Sequence, residues 1–149
     1  MMLGKRILPV AAVSLALTAA ACGGSSSSSS STPSDSTAGN GTVSVGAGEF
    51  YFHLDRTSVA AGKVTFVVKN EGSVGHEMVV IKTETTAGEL PYANGEASED
   101  GAVGEIGEDE LEVGMTGRLT LDLQPGHYAL ICNLPAHYKG GMYTDFTVT

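Results

Sequence analysis

From about Thr42 onward, apolar residues recur at every second position over most of the chain, and this period of two restricts the fold more than any other feature. Such alternation is typical of β-strands with one face against a core and the other toward solvent. The runs that show it are Val43–Val45, Phe50–Leu54, Val64–Val68, Leu119–Leu123, Tyr128–Cys132 and Met142–Val148. Turn signals such as Ala61-Gly62 and Pro125-Gly126 separate them. We therefore predict an all-β sandwich of roughly seven mainly antiparallel strands over residues 42–149.

Two stretches depart from this alternation. His76–Lys82 is a more continuously apolar run. Residues 82–117 break the pattern, and ten of the chain's acids lie between Glu84 and Glu112. We interpret 82–117 as a long, solvated acidic loop or insertion with a short helix around Glu108–Val113.

The N-terminus has the layout of an export signal. Lys5 and Arg6 precede an apolar segment, Ile7–Leu17, which is too short to span a bilayer as a helix. Three alanines then lead directly to Cys22, as in a bacterial lipoprotein signal, which this segment resembles. We predict a signal peptide over 1–21 and lipidation of Cys22. Ordinary cleavage that leaves a free thiol is the alternative.

Residues 22–41 are rich in serine and glycine, including seven consecutive serines from Ser25 to Ser31. This composition cannot form a core and predicts a disordered, flexible tether. The protein is thus expected to be exported and anchored by lipid on the outer face of the cytoplasmic membrane, or in the periplasm or at the cell surface.

The net charge of −9 argues against nucleic acid as a partner, because phosphate contacts need Lys and Arg. It fits a partner with a basic face, or solubility alone. The chain has two cysteines, Cys22 and Cys132, in very different surroundings. A disulfide framework is therefore not predicted.

The strongest functional signal is the spacing Cys-x4-His-x4-Met at Cys132, His137 and Met142, in a tight loop between two predicted strands. His76, at the start of another strand, supplies a second imidazole. Two imidazoles, a thiolate and a weak thioether are the ligands of a blue (type 1) copper site. Zinc is the main rival, but structural zinc sites lack thioether ligands, so Met142 favours copper.

Other residues near the motif or of ligating type are expected to have structural roles. His53 and His127 are expected at the surface, and Met78 in the core, although it lies in phase with His76. Tyr138 is expected either to shield the metal or to cover the loop. Extra copper clusters, as in copper enzymes, would need more histidines than the four present, so we do not predict an enzyme.

Three stretches, Val64–Asn70, Gly75–Ile81 and Gly126–Met142, resemble the cupredoxins of the plastocyanin/azurin superfamily, and the last is similar to the sulfocyanin and rusticyanin loop. The resemblance implies an eight-stranded Greek-key sandwich with one copper at one end. The ligands that it implies are His76, Cys132, His137 and Met142. It also suggests a weak contact from the Gly75 carbonyl and a hydrogen bond from Asn70, near the first His, that ties the ligand loops together. Asn133 is a further candidate for a hydrogen bond that supports the ligands. Family loops commonly have Gly where this chain has Ala136.

The expected function is one-electron transfer by a monomer at the outer face of a membrane. Leu134, Pro135 and Ala136 would form a small apolar surface for brief docking of redox partners. A carrier or buffer that delivers copper to an oxidase is the alternative.

Overall fold

The computed structural model describes residues 41–149, which form two β-sheets packed face to face. The predicted signal peptide, Cys22 and nearly all of the tether lie outside the described residues. The strands are β1 (Thr42–Gly48), β2 (Tyr51–Leu54), β3 (Ser58–Val59), β4 (Gly62–Asn70), β5 (Met78–Lys82), β6 (Tyr92–Ala93), β7 (Glu96–Ala97), β8 (Ala102–Ile106), β9 (Thr116–Leu123), β10 (Gly126–Ile131) and β11 (Tyr143–Val148). The helices are single turns: two 3-10 helices, Ala87–Glu89 and Glu108–Glu110, and α1 (His137–Gly140). Within 41–149, none of them is long and apolar enough to cross a bilayer.

The first sheet has the strand order β2-β1-β4-β9, and the second has the order β3-β11-β10-β5-β8. β6 and β7 form a separate hairpin. Most neighbouring strands are antiparallel, whereas β1 pairs with β4, and β3 with β11, in parallel. The all-β sandwich predicted from the alternation is confirmed.

The core lies between the two sheets and is built from the residues that the period of two assigned to it. Val64, Phe66 and Val68 of β4 are fully buried, as is Leu130 of β10. Phe66 meets Phe146 of the opposite sheet edge-on, with 5.3 Å between ring centroids. Burial of these alternating side chains is the main term that favours folding.

The alternation prediction is wrong at Phe50. Gly48 pairs directly with Tyr51, so Glu49 and Phe50 form a two-residue turn between β1 and β2. Phe50 has a φ of +70° and is 48% exposed. The chain therefore reverses before the strand begins, and Phe52 is the first residue of β2 whose side chain is buried.

The interpretation of 82–117 as a solvated loop is also wrong. β8 pairs with β5 as the edge strand of the second sheet. Ala87, Leu90 and Ala97 are buried in a second cluster with Ile131 and other residues on the outer face of that sheet. The acids take the exposed positions, while small apolar residues between them cover the sheet. The helix predicted around 108–113 is one 3-10 turn, Glu108–Glu110.

Candidate metal centre

The pairing of β5 with β10 brings the predicted ligands together. These strands are antiparallel, with Ile131 opposite Val79, so the start of β5 and the end of β10 lie at the same end of the sandwich. His76 precedes β5, and Cys132 follows β10. His137 begins α1, which returns the chain to β11.

Three donor atoms converge at this end. The Nδ1 atoms of His76 and His137 are 3.3 Å apart, and the Sγ of Cys132 is 3.2 Å from Nδ1 of His137. Ligand atoms of all three residues lie within 4.8 Å of one another. His76 and Cys132 are fully buried, whereas His137 is partly exposed.

The spacing and chemistry of these atoms fit a metal ion. Nitrogen and sulfur ligands at about 2.0–2.3 Å from a metal lie roughly 3–4 Å from each other. Nδ1 of His76 faces Nδ1 of His137 at 3.3 Å, a separation that fits two nitrogen ligands of one ion. Two imidazoles and one thiolate form a donor set that suits copper.

Burial sets the protonation of the ligands. It lowers the pKa of His76, and the neighbouring His137 lowers it further, so the imidazole is neutral at neutral pH. Burial also raises the pKa of Cys132 to about 11, with a smaller contribution from the Glu77 and Glu108 carboxylates. Hydrogen bonds from backbone N–H groups act in the opposite direction. The metal-free site thus holds a neutral thiol, which loses its proton when a metal binds.

The loop between β10 and β11 is closed by its own backbone. The N–H of Met142 donates to the carbonyl of His137, and the N–H of Cys132 donates to the carbonyl of Met142, both at 3.0 Å. Ala136 has a φ of +71°, a conformation that favours glycine, which gives a physical reason for the glycine common at this place in similar loops. Met142 is fully buried in the same core cluster as Cys132. Its role as axial ligand stays a prediction.

Gly75, whose carbonyl was suggested as a weak ligand, is partly buried. A Cβ added there would lie 2.7 Å from Oε1 of Glu108. Close packing is therefore one reason for glycine at this position, and the contact of its carbonyl with the metal stays a prediction.

Asn70 fixes the loop that carries His76. Its Nδ2 donates to the carbonyls of Val74 and Leu111, at 2.8 and 2.7 Å, and its Oδ1 accepts from the N–H of Gly72 at 2.8 Å. The N–H of His76 donates to the same Leu111 carbonyl at 3.2 Å. Asn70 therefore supports the ligand through the backbone.

The side chain of Asn133 bonds to the 82–117 segment rather than to the loop that carries His76. Its side chain bonds both backbone groups of Ala97, at 2.7 and 3.0 Å, and Nδ2 also donates to Glu99 at 2.8 Å. It thus fastens β7, part of the 82–117 segment, to the loop that follows Cys132.

Sequence reasoning missed Glu77, which joins the two ligand strands. Its Oε1 accepts the N–H of Asn133 at 2.7 Å, so one side chain links the residues that follow His76 and Cys132. Burial raises the pKa of this carboxyl, and nearby acids such as Glu99 add to the rise. The sequence did contain a signal for Glu77, because it is a charged residue inside the apolar run that follows His76.

The remaining candidates lie elsewhere. His53 is exposed, and His127 is hydrogen-bonded to an acid of β11 at 2.9 Å. Neither joins the metal-ligating group found among residues 41–149. Met78 is buried in the main core, as predicted. The Tyr138 hydroxyl bonds the backbone of the 3-10 helix Ala87–Glu89 and the residue after it, which agrees with covering the loop.

Comparison with known proteins agrees with this geometry. The family model for "Copper binding proteins, plastocyanin/azurin family" matches residues 39–149. Dithionite-reduced auracyanin from Roseiflexus castenholzii is 24% identical, with a TM-score of 0.55, over 72% of this chain and 96% of that one. Auracyanin A, a "blue" copper protein from Chloroflexus aurantiacus, is 26% identical, with a TM-score of 0.51, over 72% and 98%. Rusticyanin from Thiobacillus ferrooxidans is 20% identical, with a TM-score of 0.50, over 74% and 79%. No curated protein matches the sequence significantly.

Proposed function

Because this chain belongs to the plastocyanin/azurin family of copper-binding proteins, we propose that it carries single electrons at the outer face of a membrane through one type 1 copper ion. The observation that supports this most directly is the convergence of two imidazole nitrogens and one cysteine sulfur at 3.2–3.3 Å in a largely buried site. Met142 is the proposed fourth ligand. The proposal assigns no substrate conversion to the protein.

Each ligand residue has a distinct part in this function. Bound copper supplies a one-electron couple between Cu(II) and Cu(I). His76 and Cys132 stand at the ends of two paired strands, so their donor atoms keep their positions when the charge changes. His137 is the partly exposed member of the three, and its ring gives the shortest exit for an electron.

The proposed docking surface for a redox partner is the loop before His137. Pro135 and Ala136 are exposed, while Leu134 is partly buried and packs against the core. This small apolar patch suits brief encounters of the kind that electron carriers make.

Delivery of copper to another protein is the alternative function, and one experiment separates the two. The full chain, loaded with Cu(I), is mixed either with ferricyanide or with a copper-free Cu(I) chelator. We expect rapid oxidation with copper retained, and slow loss of copper to the chelator, because Cys132 is fully buried. Rapid transfer of copper with sluggish oxidation would favour delivery.

Met142 is tested by replacement with leucine. A weak axial thioether affects the reduction potential more than the affinity. Met142→Leu should therefore keep copper and its colour but raise the potential, because the loss of one donor destabilises Cu(II), which prefers more ligands, more than it destabilises Cu(I). The potential is measured by voltammetry of the full chain. Complete loss of copper would show that the axial assignment is wrong.

A further inference from the structure

The turn between β1 and β2 reaches over both histidines, although no sequence signal placed it there. Glu49 accepts hydrogen bonds from the backbone N–H groups of Ser73 and Val74, in the loop that carries His76. Phe50 lies against the ring of His137, edge-on, with 5.8 Å between centroids and 88° between planes. Glu49 thus holds the loop that carries His76, and the adjacent Phe50 contacts the ring of His137.

Phe50 is unusual in three respects. Its φ of +70° is an outlier for a bulky side chain, and turns that need such a value at the second central residue normally place Gly or Asn there. The residue is 48% exposed. Its backbone is therefore strained while about half of the residue stays exposed, so burial alone is a weak reason for a phenylalanine at this position. Strain of this kind is concentrated at functional sites.

The ring of Phe50 also fits closely against the end of α1. A Cβ added at Gly140 would lie 2.2 Å from Cδ1 of Phe50. The ring of Phe50 thus lies perpendicular to the ring of His137, the first residue of α1, and also lies close to the backbone of Gly140, the last residue of α1. No side chain fits between them unless the ring moves.

We propose that Phe50 is a positioning residue that covers the partly exposed ring of His137, holds it in its ligating orientation and keeps water and small anions from the copper. This inference rests on the proposed function, because it assigns Phe50 a role at the copper ligand His137. Burial of His76 and Cys132 protects those two ligands already, so His137 is the ligand that needs a cover.

The test compares Phe50→Gly and Gly140→Ala with the parent in the full chain. Phe50→Gly removes the ring and relaxes the backbone. Gly140→Ala keeps the Phe50 side chain but adds a methyl group at the position that its ring occupies. Tyr51→Ala is the matched control, because Tyr51 is equally exposed, at 45%, and packs over Gly48. Three quantities are measured: the rate of copper loss to a chelator, the change of the thiolate charge-transfer band on addition of azide, and the unfolding temperature of the copper-free protein.

Phe50→Gly should lose copper at least tenfold faster and respond to azide at concentrations that leave the parent unchanged, while the copper-free protein unfolds at the same or a higher temperature. Gly140→Ala should show the same changes in copper loss and azide response to a smaller extent, and Tyr51→Ala should show neither. If copper loss and azide response stay at the parent's values, or if they change only in proportion to a lower unfolding temperature, Phe50 is a turn residue alone and the inference is overturned. A parent that lacks the thiolate band would instead refute the proposed function.

Discussion

At the scale of single residues, the neighbours of the copper ligands divide into those that the sequence identifies and those that only the fold reveals. The spacing from Cys132 to Met142 is local, so the sequence shows the motif directly, and His76 is one of only four histidines. Phe50 and Glu77 could not be assigned in this way. Phe50 comes to His137 from 87 positions earlier in the chain, and the partner of Glu77 is a backbone N–H, which has no signature in sequence.

Glu77 allows a prediction about the reduction potential. Its carboxylate lies near the Cys132 thiol, whose ionisation it disfavours. A negative charge here should likewise favour Cu(II) over the less positive Cu(I). Glu77→Gln keeps a side-chain oxygen for the Asn133 N–H but removes the charge. We expect the potential to rise by on the order of 40 mV, or ~1 kcal/mol, at alkaline pH, where the carboxyl is ionised.

The control for this experiment is Glu105→Gln. Glu105 is an exposed acid of β8 that affects the Glu77 carboxyl through charge alone. The Glu105→Gln variant removes one negative charge, as Glu77→Gln does, but leaves the hydrogen bond from the Asn133 N–H to Glu77 unchanged. Its effect on the potential should be much smaller. Equal shifts in both variants would mean that net charge, rather than the position of Glu77, sets the potential.

At the scale of elements, the alternating strands were predictable and the covering segment 82–117 was not. Its acids dominate its composition, while the residues that pack, such as Ala87 and Ala97, are small and lack a period. Two signals were nevertheless present. The continuous apolar run of β5 is typical of a strand with both faces covered. Asn94-Gly95, with φ values of +57° and +100°, is a strong hairpin signal and joins β6 to β7.

A substitution at Tyr138 tests how strongly the segment 82–117 is bound to the rest of the domain. Its hydroxyl donates to the carbonyl of Ala87 at 2.8 Å and accepts from the N–H of Leu90 at 3.1 Å. Tyr138→Phe leaves both backbone groups buried without a partner, which should lower the free energy of unfolding by about 1–3 kcal/mol. Chemical denaturation of the copper-free protein measures this. Tyr92→Phe, in the ring stacked on Tyr138, is the control and should change stability little. A loss that is equal in both variants would contradict the assigned hydrogen bonds.

At the scale of the whole molecule, the proposed function requires the copper end of the sandwich to meet redox partners, and the predicted tether is expected to hold the domain at a membrane. Residues 1–40 lie outside the described structure, so the anchor rests on the sequence pattern that ends at Cys22. Cys22→Ala should release the protein into the aqueous phase or leave it misprocessed, because no other residue offers the thiol that lipidation needs at that place. Partitioning between detergent and water, with the intact mass of the mature protein, tests this. Mature parent protein without acyl chains would contradict lipidation.

The central claim is that His76, Cys132 and His137 hold one copper ion as a type 1 site. The most direct measurement is the visible absorption spectrum of the full chain after addition of one equivalent of Cu(II), with Cys132→Ser as its control. We predict an intense blue or green thiolate charge-transfer band in the parent, and its complete loss in Cys132→Ser while the far-ultraviolet signature of the strands remains. A colourless copper complex of the folded parent would contradict the claim.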